Sequence, residues 1–269
     1  MGTDRIRGKV VCITGATGGI GTEIARAFAR EGARLVLSGR NAAALDAIAA
    51  ELKSGGTEVV TVASDMTVPA DVERLVAAAT QAMGGIDIVV CNAGVYIRGA
   101  VKDLSLESIR QSMDTNYYGA VHLIRAVLPQ MLARRSGHIV AVSSVDGKKG
   151  LPPDAAYAAS KYALTGFMDV LRQELHGTGV YASTIFPERV DTPMIDGLEL
   201  PLMSRRLPPA AVARAAVKAV RQRRREVVLS FIGPKFLIVA SAVWPALGDL
   251  LVRIFRLQGV ELDKGTTHG

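Results

Sequence analysis

Three side chains in this sequence have the types and spacing for proton transfer. Tyr157 and Lys161 stand four residues apart in Ala156-Tyr-Ala-Ala-Ser-Lys-Tyr, and on a helix that separation puts both on one face. A phenol titrates near 10, so acid or base work near neutrality requires the phenolate to be stabilised by roughly 4 kcal/mol. A neighbouring ammonium in a cleft poor in water has that reach. Lys161 is therefore expected to keep the Tyr157 phenol unusually acidic. Ser144 lies upstream in Val142-Ser-Ser-Val, at the predicted C-terminal end of a strand, where open α/β sheets build their sites. Its hydroxyl is placed to donate to a substrate oxygen as charge gathers there.

A second group of residues is suited to an anion. The stretch Thr14-Gly15-Ala16-Thr17-Gly18-Gly19-Ile20-Gly21 joins the first predicted strand to the first predicted helix. Glycines let the backbone turn tightly and approach a pyrophosphate, and the helix start presents free N–H groups. The alternative is a glycine-rich turn that holds nothing; its position after strand one and before helix one favours the dinucleotide. At the end of the second strand, Leu37-Ser-Gly-Arg-Asn41 has no carboxylate to bond a free ribose 2′-hydroxyl, while Arg40 offers a cationic fork to a 2′-phosphate. NADP(H) is expected over NAD(H), against the plainer reading of Arg40 as a solvated residue opening the next helix.

The elements that position these groups alternate along the chain. Strands are expected near Lys9–Thr14, Ala33–Gly39, Thr57–Asp65, Ile86–Asn92, His138–Ser144, Val180–Pro187 and Glu226–Phe231. Helices are expected near Gly19–Arg30, Ala42–Leu52, Pro69–Met83, Leu106–Leu132, Ala155–His176 and Pro209–Arg224. Near-continuous apolar strands such as Ile88-Val-Val-Cys91 are the mark of a sheet covered on both faces. The fold class is α/β: a doubly wound parallel sheet, or Rossmann fold, of about seven strands with helices on both faces. At 269 residues and 49% hydrophobic, the chain suffices for one large core.

Composition narrows the partners. The net charge is +7, yet residues 1–204 carry 20 Lys and Arg against 21 Asp and Glu, while residues 205–269 carry 12 against 4. A neutral body argues against a nucleic-acid footprint. Cys12 and Cys91 lie in apolar strand runs and read as small buried hydrophobes. The histidines at 122, 138, 176 and 268 are scattered, so no metal site is expected. Tyr117 and Tyr162 are expected to pack, and Ser143 to face away from Ser144. The two cysteines fit a reducing cytoplasm, and with no long apolar segment before Val10 a secretory signal is not expected.

Taken together these residues resemble the short-chain dehydrogenase/reductase family over roughly residues 7–231. The matching pieces are Thr14-Gly15-x-x-x-Gly19-x-Gly21, Asp65, Asn92-Ala93-Gly94, Asn116, Ser144, Tyr157-x-x-x-Lys161, and Pro187 with Thr192. The resemblance implies that Tyr157 exchanges the proton, Lys161 binds the nicotinamide ribose and lowers the Tyr157 pKa, and Ser144 orients the carbonyl. It implies that Asn116 holds a water on the proton path and that Asp65 contacts the adenine. It places Asn92, Ala93 and Gly94 beside the adenosine ribose and pyrophosphate, and Val190 and Thr192 at the carboxamide. It also makes homodimers or homotetramers the expected assemblies. Two positions depart from the family pattern: Cys91 stands where Asn is usual, and Glu188 where Gly is usual.

After Thr192, the residues Met194, Ile195, Leu198, Leu200, Leu202 and Met203 predict an apolar lid, hence a hydrophobic carbonyl or alcohol such as a steroid or keto-lipid. Ordinary packing against the sheet edge is the alternative. Residues 1–231 are expected to form the catalytic domain and 232–269 an amphipathic extension. The uncharged run from Phe236 to Gly248 is 13 residues, about 20 Å as a helix and too short for a bilayer. From Pro245 onward, Leu247, Leu250, Leu251 and Ile254 follow helical spacing. Peripheral membrane contact, a subunit interface, and packing over the protein's own substrate mouth all remain open for this tail. The rival to an enzyme is a regulatory or scaffold protein that binds NADP(H) without chemistry; a third reading is an interaction module driven by the basic tail.

Overall fold

Short runs of Val, Ile and Leu with both faces buried can pair in parallel only if helices cover each side, and the chain alternates accordingly. The computed structural model describes residues 5–195, 198–199, 206–230, 232–255, 257 and 260–261, with side chains left out at 198–199, 232–235 and 260–261. Its elements are β1 (Val10–Thr14), α1 (Gly19–Arg30), β2 (Arg34–Gly39), α2 (Ala42–Ser54), β3 (Val59–Ala63), α3 (Pro69–Met83), β4 (Ile88–Cys91), α4 (Leu106–Met113), α5 (Gly119–Ala133), β5 (Gly137–Val142), α6 (Ala155–Glu174), β6 (Val180–Pro187), β7 (Leu198–Glu199), α7 (Pro209–Gln222), β8 (Glu226–Leu229), α8 (Ile232–Val243), α9 (Pro245–Ile254) and β9 (Val260–Glu261). Seven strands form one sheet in the order β3-β2-β1-β4-β5-β6-β8, every neighbouring pair parallel. β7 and β9 form a separate antiparallel pair.

The two-residue period of the strands sorts the core into two layers. Val11 and Ile13 pack with Ile24, Phe28, Val212 and Val217 on one face. Val10 and Cys12 pack with Leu75, Leu123, Ile124 and Met168 on the other. Cys12 and Cys91 are free and buried, and burial pushes both thiols up, Cys91 to about 12. They pack as small hydrophobes, as expected. The strand order reverses between β1 and β4, and at such a switch point the carboxyl ends of the strands open a crevice.

Two expectations change. The single helix expected over Leu106–Leu132 is interrupted by a π-helical turn at Asp114–Tyr118. β6 spans the expected Val180–Pro187, while most other strands are shorter than expected: β3 keeps only the residues that pair with Leu35–Gly39. Residue 231, the expected end of the last strand, lies outside the described residues.

Candidate active site

The glycine turn is held by the two strands beside it. Thr14 Oγ1 accepts from the backbone N–H groups of Asn92 (3.0 Å) and Ala93 (3.1 Å). Asn92 Nδ2 donates to the carbonyls of Thr14 (3.1 Å) and Gly15 (3.2 Å). Gly15 has φ +62°, and a Cβ there would lie 2.8 Å from Ala93 Cα; one on Gly21 would lie 2.1 Å from Gly15 O. Only glycine fits either place. Beyond the turn, α1 begins at Gly18 with no side-chain cap and no acid in its first turn, so its leading N–H groups are left for an external anion. The turn, with Thr17, Gly18, Gly19 and Ile20 along it, fits a pyrophosphate. Thr192 rests its Cγ2 methyl against Gly19 and donates to Val190 O (3.3 Å).

Arg40 is exposed at the end of β2, with no hydrogen bond or ion pair among the described residues. Asp65 is otherwise engaged: its Oδ1 accepts from the N–H (2.9 Å) and hydroxyl (2.8 Å) of Thr67, building the turn after β3. Neither residue borders the main cavity.

That cavity, of about 470 Å³, opens at the carboxyl ends of β4, β5 and β6 and takes in Ser144, Tyr157 and Lys161. Ser144 follows β5 in extended conformation. Tyr157 and Lys161 share a face of α6, with Lys161 Nζ 5.6 Å from the Tyr157 ring centre and donating to Val142 O (3.0 Å). The Ser144 side chain hydrogen-bonds the phenol and draws its pKa down. Burial and the Asp146 carboxylate outweigh it, so the protein groups alone hold Tyr157 above its ordinary value. The same burial lowers Lys161 to about 8, against the attraction of Asp146. The expected acidic phenol is thus not a property of the chain by itself: desolvation acts on both partners and leaves the phenol raised.

Asn116 is buried behind this wall, set by the π turn. Its Oδ1 accepts from Val95 N (2.7 Å), and its Nδ2 donates to Val95 O (2.9 Å) and Ser160 Oγ (2.9 Å). Ser160 Oγ donates in turn to Tyr157 O (2.7 Å), so Asn116 braces the first turn of α6 against the loop after β4. A Cβ on Gly94 would lie 2.9 Å from Asn116 Oδ1 and 3.7 Å from Lys161 Nζ, which puts the three together.

Other side chains here were not singled out by sequence. Tyr96 meets the Tyr157 ring edge-on at 4.7 Å and donates to Asp154 Oδ2 (2.9 Å), and Arg98 forms a buried ion pair with Asp154 (2.7 Å). Asp146 Oδ2 accepts from Ser144 Oγ (3.1 Å). Arg189 borders the cavity beside Glu188. A buried charge looks like a surface charge in sequence; only the placement of Asp146 two residues after Ser144 hinted at it. Ser143 turns to α6, bonding Lys161 O (3.3 Å) and Thr165 Oγ1 (3.1 Å). Tyr117 packs on Phe167. Tyr162, expected to pack, is instead 45% exposed and bonds the Gly150 backbone.

The rest of the lining is mainly apolar, and much of it comes from the tail. Phe236, Leu237 and Ile238 of α8, Leu251 of α9 and Phe255 just after it line the cavity together with Met194 and Ile195. The hairpin is tied down by Lys149–Asp249 (2.9 Å) and by Arg189 Nη2 donating to Leu257 O (3.2 Å). Packing over the protein's own site is therefore a role the tail has. Of the remaining expected lid residues, Leu200, Leu202 and Met203 lie outside the described residues, as does the side chain of Leu198.

Comparison with known proteins agrees with this architecture. A relative in Danio rerio, dehydrogenase/reductase SDR family member 7B, is 39% identical over 258 residues, covering 90% of this chain and 84% of its own. Ketoacyl reductase HetN of a Nostoc species is 35% identical over 236 residues, covering 84% and 79%. Among solved structures, a short chain dehydrogenase/reductase from Burkholderia phymatum in complex with NAD superposes with TM-score 0.80 at 27% identity, over 92% of this chain and 96% of that one. A variant of actinorhodin polyketide ketoreductase with NADPH gives TM-score 0.77 at 30% identity, over 85% and 97%. Residues 9–200 match the short chain dehydrogenase family, and with the sheet order and the Ser144, Tyr157 and Lys161 cluster already in place, the chain belongs to that family of oxidoreductases.

Proposed function

We propose that the protein is an NADP(H)-dependent reductase of hydrophobic ketones, also able to oxidise the matching secondary alcohols. One observation carries this reading: Ser144, Tyr157 and Lys161 converge on the wall of a cavity whose remaining lining is mainly apolar. Arg40 at the end of β2, with no carboxylate between Ser38 and Asn41, supports the 2′-phosphate. Relatives named for ketoacyl and polyketide ketone reduction support the carbonyl.

A dinucleotide held by its pyrophosphate at the glycine turn would supply or accept the hydride through its nicotinamide. The chain's own part is protonic and electrostatic. Tyr157 Oη gives its proton to the carbonyl oxygen as the carbonyl carbon receives the hydride, so the C=O becomes an H–C–OH. Ser144 Oγ leaves Asp146 to donate to the same oxygen, where negative charge develops. Lys161 balances the phenolate left behind and reaches the ribose, and Asn116 keeps the α6 turn in register. The apolar lining excludes water, which strengthens each of these interactions.

The test is Tyr157→Phe, with aliphatic ketones such as octan-2-one and NADPH. Turnover is expected to fall by at least the 10²–10⁴-fold typical of losing a general acid, with NADPH affinity kept; undiminished turnover overturns the assignment.

The outward side of the hairpin supports a second reading, for the tail alone. Val239, Val243, Trp244 and Ile254 are each at least 62% exposed, and Arg253 lies among them on α9. A face of this kind suits the headgroup boundary of an anionic membrane. No helix among the described residues is long and apolar enough to cross one.

A further inference from the structure

Polar atoms in the cavity lining are left without hydrogen-bond partners among the described residues. Asp146 Oδ1 and Arg189 Nη1 are buried and have no hydrogen-bond partner among the described residues, and both residues line the space beside Ser144. The other atom of each group is fixed. Asp146 Oδ2 accepts from Ser144 Oγ (3.1 Å), whose oxygen accepts in turn from Asp146 N (3.1 Å). Arg189 Nη2 donates to Leu257 O (3.2 Å). The carboxylate is thereby locked to the hydroxyl that meets the reacting oxygen, and the guanidinium to the tail that covers the cavity. Leaving such groups bare costs a fold about 1–3 kcal/mol each, a cost a ligand can remove.

We propose that Asp146 and Arg189 form a substrate subsite that recognises a hydroxyl on the carbon α or β to the ketone, with an apolar chain beyond it. The inference rests on the ketone reduction proposed above and names its substrate class. Arg189 Nη1 can only donate, and Asp146 Oδ1 accepts while ionised. A hydroxyl both accepts and donates, so one group has the chemistry to meet both atoms, and Arg189 lies near enough to Asp146 to act on its carboxyl. A phosphate or carboxylate at this place would face the carboxylates of Asp146 and Glu188, and an ammonium would face Arg189. A bare alkyl chain would leave both atoms unpaired. Because Asp146 is tied directly to Ser144, the atoms it can read are those next to the carbonyl rather than the far end of the chain. Burial holds the Asp146 carboxyl up at about 7, with nearby Asp154 adding to the rise and Arg189 opposing it. Both its accepting and its donating forms are therefore within reach at neutral pH.

The experiment compares octan-2-one, 1-hydroxyoctan-2-one and 1-methoxyoctan-2-one as substrates of the full chain, with NADPH and NADH in parallel. The quantity read is the ratio of kcat/KM values. The hydroxyketone is expected to exceed the plain ketone by about tenfold, the worth of one net hydrogen bond, with the methyl ether between them since it accepts but cannot donate. Asp146→Leu and Arg189→Met should each collapse the hydroxyketone ratio toward one. Asp146→Asn, which keeps both the shape and a bond to Ser144, should restore much of it. Because Arg189 makes no hydrogen bond to Ser144 among the described residues, its variant separates loss of recognition from a misplaced catalytic hydroxyl. If all three ketones are reduced with ratios within twofold, or the ratio survives in Asp146→Leu and Arg189→Met, the subsite is overturned while the reductase reading stands. If none is reduced with either coenzyme, the reductase reading fails and takes the subsite with it.

Discussion

Replacing Lys161 by Met tests the electrostatics of the site, because Met fills a similar volume without the charge. The Lys161 ammonium lies 5.6 Å from the centre of the Tyr157 ring; a charge at about that range from a phenolate oxygen is worth about 3 kcal/mol at an effective dielectric of about 20, equivalent to about two pH units or 100-fold in rate. The sign with pH follows from Lys161 itself. Burial lowers its pKa to about 8, so the ammonium is intact below that pH and lost above it. Tyr157, raised above its usual value, stays protonated throughout and is ready to give its proton. In the wild type, kcat/KM for ketone reduction at saturating NADPH is expected to be level up to about pH 8 and to fall beyond it. In Lys161→Met it should be about 100-fold lower at pH 7 and should lack the descending limb. Lys161→Arg should also lack it, because guanidinium stays charged across the range. A loss smaller than threefold in the Met variant, or the same descending limb in all three proteins, refutes the role given to the charge.

Three more outcomes follow from other parts of the structure. Gly21→Ala puts a Cβ 2.1 Å from Gly15 O, a backbone atom with nowhere to go, so calorimetry should show NADPH binding lost together with a lower melting temperature; unchanged binding would contradict the turn as described. Arg40→Ala should weaken NADPH by about tenfold, the scale of one charge-assisted hydrogen bond, and leave NADH unaffected; an equal loss for both would assign Arg40 to something other than the 2′-phosphate. Full-length protein should float with vesicles containing phosphatidylserine and Val243→Asp/Trp244→Asp should not; equal recovery of both in the soluble fraction ends the membrane reading.

How much of this could be read from the sequence depended on whether a local signal existed. α1 and α3 have the expected boundaries, Gly19–Arg30 and Pro69–Met83. Pro69 fits the first helical turn, and Gly84, at φ +77°, ends its helix in a conformation that favours glycine. Strand ends lacked such markers: a strand stops where its neighbour stops, and that is a fact about the sheet. Tyr157 and Lys161 were legible because both lie on one helix. Asp146, Asp154 and Arg98 were not, because their burial is decided by chain segments far apart in sequence. The apolar spacing of α9 was clear, but which surface it would cover was not.

The π turn at Asp114–Tyr118 has an evolutionary corollary. Such a turn holds one residue more than an ordinary helical turn, so deleting any single residue within it would yield a continuous, better-bonded helix. The same deletion would leave the helices on either side nearly in phase, since the turn absorbs its extra residue locally, but would swing the Asn116 amide away from Val95 and Ser160. A more regular rod is one codon away from this protein, and selection for the brace at position 116 is what stands against it.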